Sequence, residues 1–202
     1  NGITSINSNV EEKPSATDFR ARAQNSSGQR STSGQDFVVT LESENVSNAG
    51  SLVLDYDDDG NQNVSLNTAN FAVNSYLVFL NDDHGTSDRT GIIGQIVFTN
   101  EIYGIFTQNS NTIFYNNISK SGATYPTHGN SGYNDRSFED FVFYANNTSS
   151  STTSGDWVSI GSDKKTLRLG AKNGDKGDYI RVITAAQGNR DPVARDDSGT
   201  VN

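Results

Sequence analysis

The sequence predicts an all-β protein, an antiparallel β-sandwich of jelly-roll type carrying long polar loops. Three observations carry that reading. Hydrophobic residues make up 32% of the chain and charged ones 19%, so most of its polarity comes from neutral Gly, Ser, Thr and Asn, as in turn-rich β proteins. Apolar residues come in short runs bounded by Gly, Asn, Asp or Ser, several of them alternating with polar positions. No stretch of about twelve residues holds the three-to-four residue period of an amphipathic helix. About ten such runs in 202 residues fit one domain with a sizeable core.

The elements follow in order. Residues 1–34 carry few large apolar groups, and QNSSGQRSTSGQ is low-complexity and polar, so this part reads as a lead-in or linker. The sandwich is expected over 35–188, with strands in DFVVTL (36–41), SLVLDY (51–56), VSLNTANFAV (64–73), SYLVFL (75–80), IIGQIVF (92–98) and IYGIFT (102–107). NTIFY (111–115), FEDFVFY (138–144), DWVSIG (156–161), KTLRLGA (165–171) and DYIRVITAA (178–186) continue the series. Alternation sets Leu167 and Leu169 against Thr166 and Arg168, and sets Ile180, Val182 and Thr184 against Arg181 and Ile183; the Leu167 and Ile180 sides are the expected core faces. Trp157, the only tryptophan, reads as a packing anchor. At Gly188 the composition changes, and 189–202 reads as the start of a linker to a further module.

Charge and composition exclude several functions. A net charge of −9 and a pI near 4.5 argue against nucleic acid, whose phosphates call for an excess of Lys and Arg, and favour divalent cations instead. With no cysteine there is neither disulfide nor thiolate zinc site, so an extracellular protein of this kind needs another staple, and Ca2+ would serve. No apolar run approaches the ~18 residues that span a bilayer, and the chain opens on Asn1-Gly2 without a secretion signal, as an excised piece would. Asn-X-Ser/Thr triplets such as Asn25-Ser26-Ser27 and Asn117-Ile118-Ser119 arise by chance in so Asn-rich a chain.

Three constellations could carry chemistry. In DYDDDGN, Asp55, Asp57 and Asp59 followed by Gly60 match the first half of an EF-hand loop, with Asn61 as a further oxygen donor. The position of the bidentate glutamate is held by Leu66 and no helices flank the loop, so the choice lies between a calcium loop between strands and a solvated acidic hairpin turn. In NDDHGTSDRTG, Asp82, Asp83 and Asp88 share a loop with His84 and Arg89. A calcium ion with open coordination there could take a ligand's carboxylate or vicinal hydroxyls while His84 or Arg89 donates; the alternative is a polar hairpin tip. In YPTHGNSGYNDRSFED, Tyr125, His128, Tyr133, Asn134, Asp135 and Arg136 are the aromatic, amide and charged groups a recognition loop uses, or those of a plain connector.

Catalysis is not expected. His84 and His128 are the only histidines and neither stands in a nucleophile or zinc motif. Glu101 and Glu139 could be nominated as a glycosidase pair, but so could many acidic residues in this chain.

Two resemblances add to this reading. The tail NRDPVARDDSGTVN resembles the opening of the cadherin-like or VCBS-type repeats strung in tandem in large bacterial surface adhesins. The run SYLVFL, then GIIGQIVFTNEIYGIF, TYPTHGNSGYNDRSFEDFVFY and GDYIRVITAA looks like a β-sandwich family of secreted and surface-anchored bacterial proteins, over roughly residues 75–186. Among repeats-in-toxin (RTX) adhesins, calcium-dependent ligand-binding sandwiches recognise peptide chain ends or sugars. The resemblance implies an extracellular, cell-surface, monomeric module that uses Ca2+ to bind a peptide, through its C-terminal carboxylate, in cell or biofilm attachment. It would neither bind nucleic acid nor insert into a membrane. Asp82-Asp83 matches the paired-aspartate loop of the sugar-binding modules of these adhesins without the rest of their pattern, so a carbohydrate is the alternative ligand. A calcium-rigidified spacer is the competing role.

Overall fold

A computed structural model describes residues 2–17, 19, 37–47, 50–80, 92–107, 118–123, 142–143, 157–171 and 179–186. Among them lie twelve strands and no helix: β1 (Ile3–Ile6), β2 (Val10–Lys13), β3 (Phe37–Ser47), β4 (Ser51–Asp57), β5 (Gln62–Asn67) and β6 (Ala72–Leu80), followed by β7 (Ile92–Phe98), β8 (Ile102–Phe106), β9 (Val142–Phe143), β10 (Trp157–Ile160), β11 (Thr166–Ala171) and β12 (Tyr179–Ala185). They form a five-stranded sheet, β1-β7-β11-β10-β9, and a seven-stranded sheet, β2-β3-β6-β12-β8-β4-β5. Pairing is antiparallel except at β2–β3 and β9–β10, which are parallel. The expected β-sandwich is the observed fold, with two parallel edge pairings that alternation of side chains does not encode.

The first two strands lie inside the segment read as a polar lead-in. ITSI and VEEK are too polar to register as core strands, and they do not need to be, because both sit at sheet edges. The turn between them is fixed by Asn7 and Asn9, whose side-chain amides both donate to the Ile93 carbonyl. One continuous segment thus edges both sheets. The expected strand 64–73 is divided: Thr68 donates from its N–H and its hydroxyl to the Gly50 carbonyl, which turns the chain between β5 and β6.

Two apolar clusters flank the seven-stranded sheet. The first lies between the sheets and joins Phe37, Val39, Tyr76, Val78, Ile180 and Val182 to Ile96, Phe98, Val158, Ile160, Leu167 and Leu169. This confirms the core faces expected from alternation in KTLRLG and DYIRVIT. The second covers the other face of the same sheet and contains Val38, Leu77, Phe79, Tyr103, Phe106 and Ile183, with Leu52 and Leu54 from β4. Phe19, from between β2 and β3, and Ile118, from between β8 and β9, close over it. The central strands β3, β6, β12 and β8 of the large sheet are therefore covered on both faces, while β4 and β5 keep exposed residues such as Val53 and Ser65, and the side of β12 bearing Arg181 and Ile183 is a second core face. At β8 a register shift between Ile183 and Thr184 inserts one residue, so Ile102 and Ile105 face the first cluster while Tyr103 and Phe106 face the second. Gly104 occupies the bulge because a Cβ there would stand 2.4 Å from the Tyr56 carbonyl oxygen.

Candidate functional site

The acidic run resolves into separate roles. Asp57, at the end of β4, is buried, and its Oδ1 accepts the N–H groups of Asp59 (3.0 Å) and Asn61 (2.7 Å) while Oδ2 accepts the Asn61 amide (3.0 Å). Main-chain bonds from Asp57 N–H to Asn61 O and from Gly60 N–H to Asp57 O close the same turn. Gly60 has φ +86°, the left-handed conformation a side chain resists, and a Cβ there would meet the Phe143 ring. Asp55 points elsewhere, its Oδ2 accepting the Thr107 N–H at 2.7 Å. Asp58 is turned inward, and Lys164 Nζ reaches its Oδ2 at 2.8 Å. Asp59 is exposed. Among the described residues no three acidic or histidine side chains converge as metal ligands would.

Lys164 belongs to the turn 161–165 between β10 and β11. It has φ +56°, a conformation glycine or asparagine adopts at lower cost, and its ammonium is what the buried Asp58 carboxylate meets. The turn is built by Asp163: burial pushes its carboxyl up, but bonds from the Thr166 hydroxyl and the Lys165 and Thr166 N–H groups outweigh this and hold it below the usual carboxylate range.

Strand register determines where the other two constellations leave the sandwich. Leu80, Phe37 and Tyr179 share one end of the large sheet, since Phe37 pairs with Leu80 and Tyr179 with Phe79. Phe106 pairs with Arg181, so β8 runs out toward that end. In the small sheet Ile92 pairs with Ala171, and Trp157 pairs with Gly170 and Val142. The two ends coincide: Gly94, near the start of β7, lies against Phe37, whereas at the opposite end Ile102 N–H donates to Lys164 O. The strand termini from which 81–91, 108–117 and 172–178 depart, and those at which 124–141 and 144–156 arrive, are thus gathered at one end. Asp82, Asp83, His84, Asp88, Arg89, Tyr125, His128, Tyr133, Asn134, Asp135 and Arg136 themselves lie outside the described residues.

The structure also brings together charged residues that the sequence reading did not single out. Under the 118–123 segment, Arg181 Nε donates to Glu42 Oε2 (2.8 Å) and its Nη2 to Oε1 (2.7 Å), with both side chains wholly buried. Ser75 donates its hydroxyl proton to the same carboxylate, and Ser119 Oγ stands 3.5 Å from Arg181 Nη2. Part of the signal was present in the sequence, since Arg181 is the lone charge of the otherwise apolar YIRVITA, whereas Glu42 shares β3 with Glu44 and several polar residues. Trp157 is buried on the outer face of the small sheet, against Gly170, and no acceptor among the described residues meets its indole N–H. It is an anchor, as expected, but not of the inter-sheet core.

Comparison with family models, with curated proteins and with solved structures returned no match. The class defined by the structure is that of a two-sheet β-sandwich whose large sheet is covered on both faces at its central strands.

Proposed function

We propose that the chain is a calcium-dependent ligand-binding module of an extracellular bacterial adhesin, taking a peptide by its terminal carboxylate. One observation carries the reading. The strand termini flanking the Asp82–Arg89 and Tyr125–Arg136 segments collect at one end of a sandwich whose large sheet is packed on both faces at its central strands, and recognition loops are commonly presented from such a rigid end. The acidic and aromatic wording of those segments, with the adhesin-like tail, supplies the chemistry. Calcium with open coordination sites would bind the carboxylate and organise the loops.

The test is a mixed peptide and glycan array probed with the folded chain in millimolar calcium and again with a chelator. Calcium-dependent signals on free peptide C-termini are the expected result. Signals confined to glycans would replace the peptide by a sugar, and silence in both conditions would leave the spacer role.

A further inference from the structure

We propose that residues 2–19 form an arm that exchanges between two copies of this chain, each completing the sheet edges of the other. The inference is independent of the ligand reading. The arm holds to the body chiefly through its main chain. β1 ladders onto β7 with Ser5 opposite Val97, β2 onto β3 with Lys13 opposite Thr40, and further bonds run from Thr99 N–H to Gly2 O, from Phe37 N–H to Asn9 O and from the Thr40 hydroxyl to Pro14 O. Its apolar contribution is small: three of the four β1 residues are exposed, Ile6 is 38% exposed, Ile3 is partly buried against the inter-sheet cluster, and only Val10 and Phe19 are buried anchors, while the Asn7 and Asn9 side chains add bonds to the Ile93 carbonyl and, at Asn7, the Gln95 N–H. An element with so few buried apolar groups belongs to the low end of local stability.

Detachment would uncover the edges of β7 and β3 together with the sites of Val10 and Phe19. Unpaired ladder edges demand a partner, and a strand of matching register satisfies both edges at once. A second copy offers that arm with every bond reproduced, which is what makes exchange of an identical element a low-cost route to a dimer. The connection permits it. The seventeen residues 20–36 reach roughly 60 Å at full extension, well beyond the radius of gyration of about 17 Å expected for a domain of this length.

The absence of native cysteine makes a direct test available. Ser5→Cys in one preparation and Val97→Cys in another are mixed at rising protein concentration, then oxidised. Exchange predicts a reducible heterodimer that grows with concentration and exceeds several-fold that from Ser51→Cys mixed with Asn67→Cys, register partners on the β4–β5 hairpin. A yield no greater than this control at every concentration overturns the proposal. A chain carrying both Ser5→Cys and Val97→Cys supplies the second readout: oxidised while dilute, it has its arm locked in place and should remain monomeric when concentrated. Dimerisation of the locked chain to the same extent as the unlocked one would also overturn exchange.

Discussion

Removing one partner of the Glu42–Arg181 pair should cost far more than removing both. Arg181→Met deletes two charge-assisted bonds of 2.8 and 2.7 Å and leaves a carboxylate, wholly out of water, with only the Ser75 hydroxyl of its present partners. Breaking a buried pair from one side costs about 3–5 kcal/mol, because the surviving charge keeps its desolvation penalty without its compensation. For a domain of this size that corresponds to a fall in Tm of roughly 6–20 °C. Glu42→Leu strands the guanidinium in the same way. The double variant Glu42→Leu, Arg181→Met removes both penalties and places apolar volume beside Leu77 and Ile183, which already line that face. It should recover most of the loss. Thermal unfolding of the four proteins gives the coupling energy directly, and a double variant that loses the sum of the single losses would refute the buried-pair argument.

Three further outcomes follow from the packing. Asp57→Ala removes the acceptor of three donors that close the 57–61 turn and should cost about 2 kcal/mol, read by urea unfolding, while the conservative Asp57→Asn should lose less. Gly170→Ala places a Cβ 1.9 Å from Trp157 Nε1, so the indole must leave its site; overpacking of about 1–3 kcal/mol should accompany a red shift in the emission of the single tryptophan. Burial, with Coulombic contributions from Glu44 and then Glu12, pushes the Tyr76 hydroxyl up to about 12, so in ultraviolet titration it should ionise well after a phenol of the ordinary value of 10.0. The unfolded chain releases that proton near pH 10 and the folded one does not, so Tyr76's contribution to stability is intact below pH 10 and is lost as pH rises to about 12.

The fold class and the inter-sheet core were legible because period-two alternation reports which side of a strand is buried. Leu167, Leu169, Ile180 and Val182 stand where that rule puts them. The second apolar face was not, since the rule assumes one dry side. Arg181 reads as solvent-facing until its partner Glu42, 139 residues away in sequence, comes beside it. Edge strands β1 and β2 escaped for a related reason: a strand that stabilises through ladder bonds need not be hydrophobic. The turn at Asp57 was foreseen from its glycine and carboxylates, while the division of labour among the four aspartates depended on Thr107 and Lys164, neither of them near in sequence.

That division bears on where calcium would act. A cation drawn to 55–59 must compete with donors already in place: the Thr107 N–H on Asp55, the Asn61 amide and two N–H groups on Asp57, and the Lys164 ammonium on Asp58. Hydrogen bonds to charged groups are worth about 1.5–3 kcal/mol each, so capture of these carboxylates would surrender much of what the metal contributes. Asp82, Asp83 and Asp88 carry a comparable charge in the segment between Leu80 and Ile92, whose flanking strand ends lie at the end of the sandwich that we propose takes the ligand. Calcium titration followed by calorimetry should therefore show a larger loss of affinity for Asp82→Asn than for Asp55→Asn, with Asp55→Asn instead weakening the hold on Thr107 and lowering thermal stability in calcium-free buffer. The reverse order of affinities would place the ion in the DYDDDG turn and mean that the bonds described there rearrange around it.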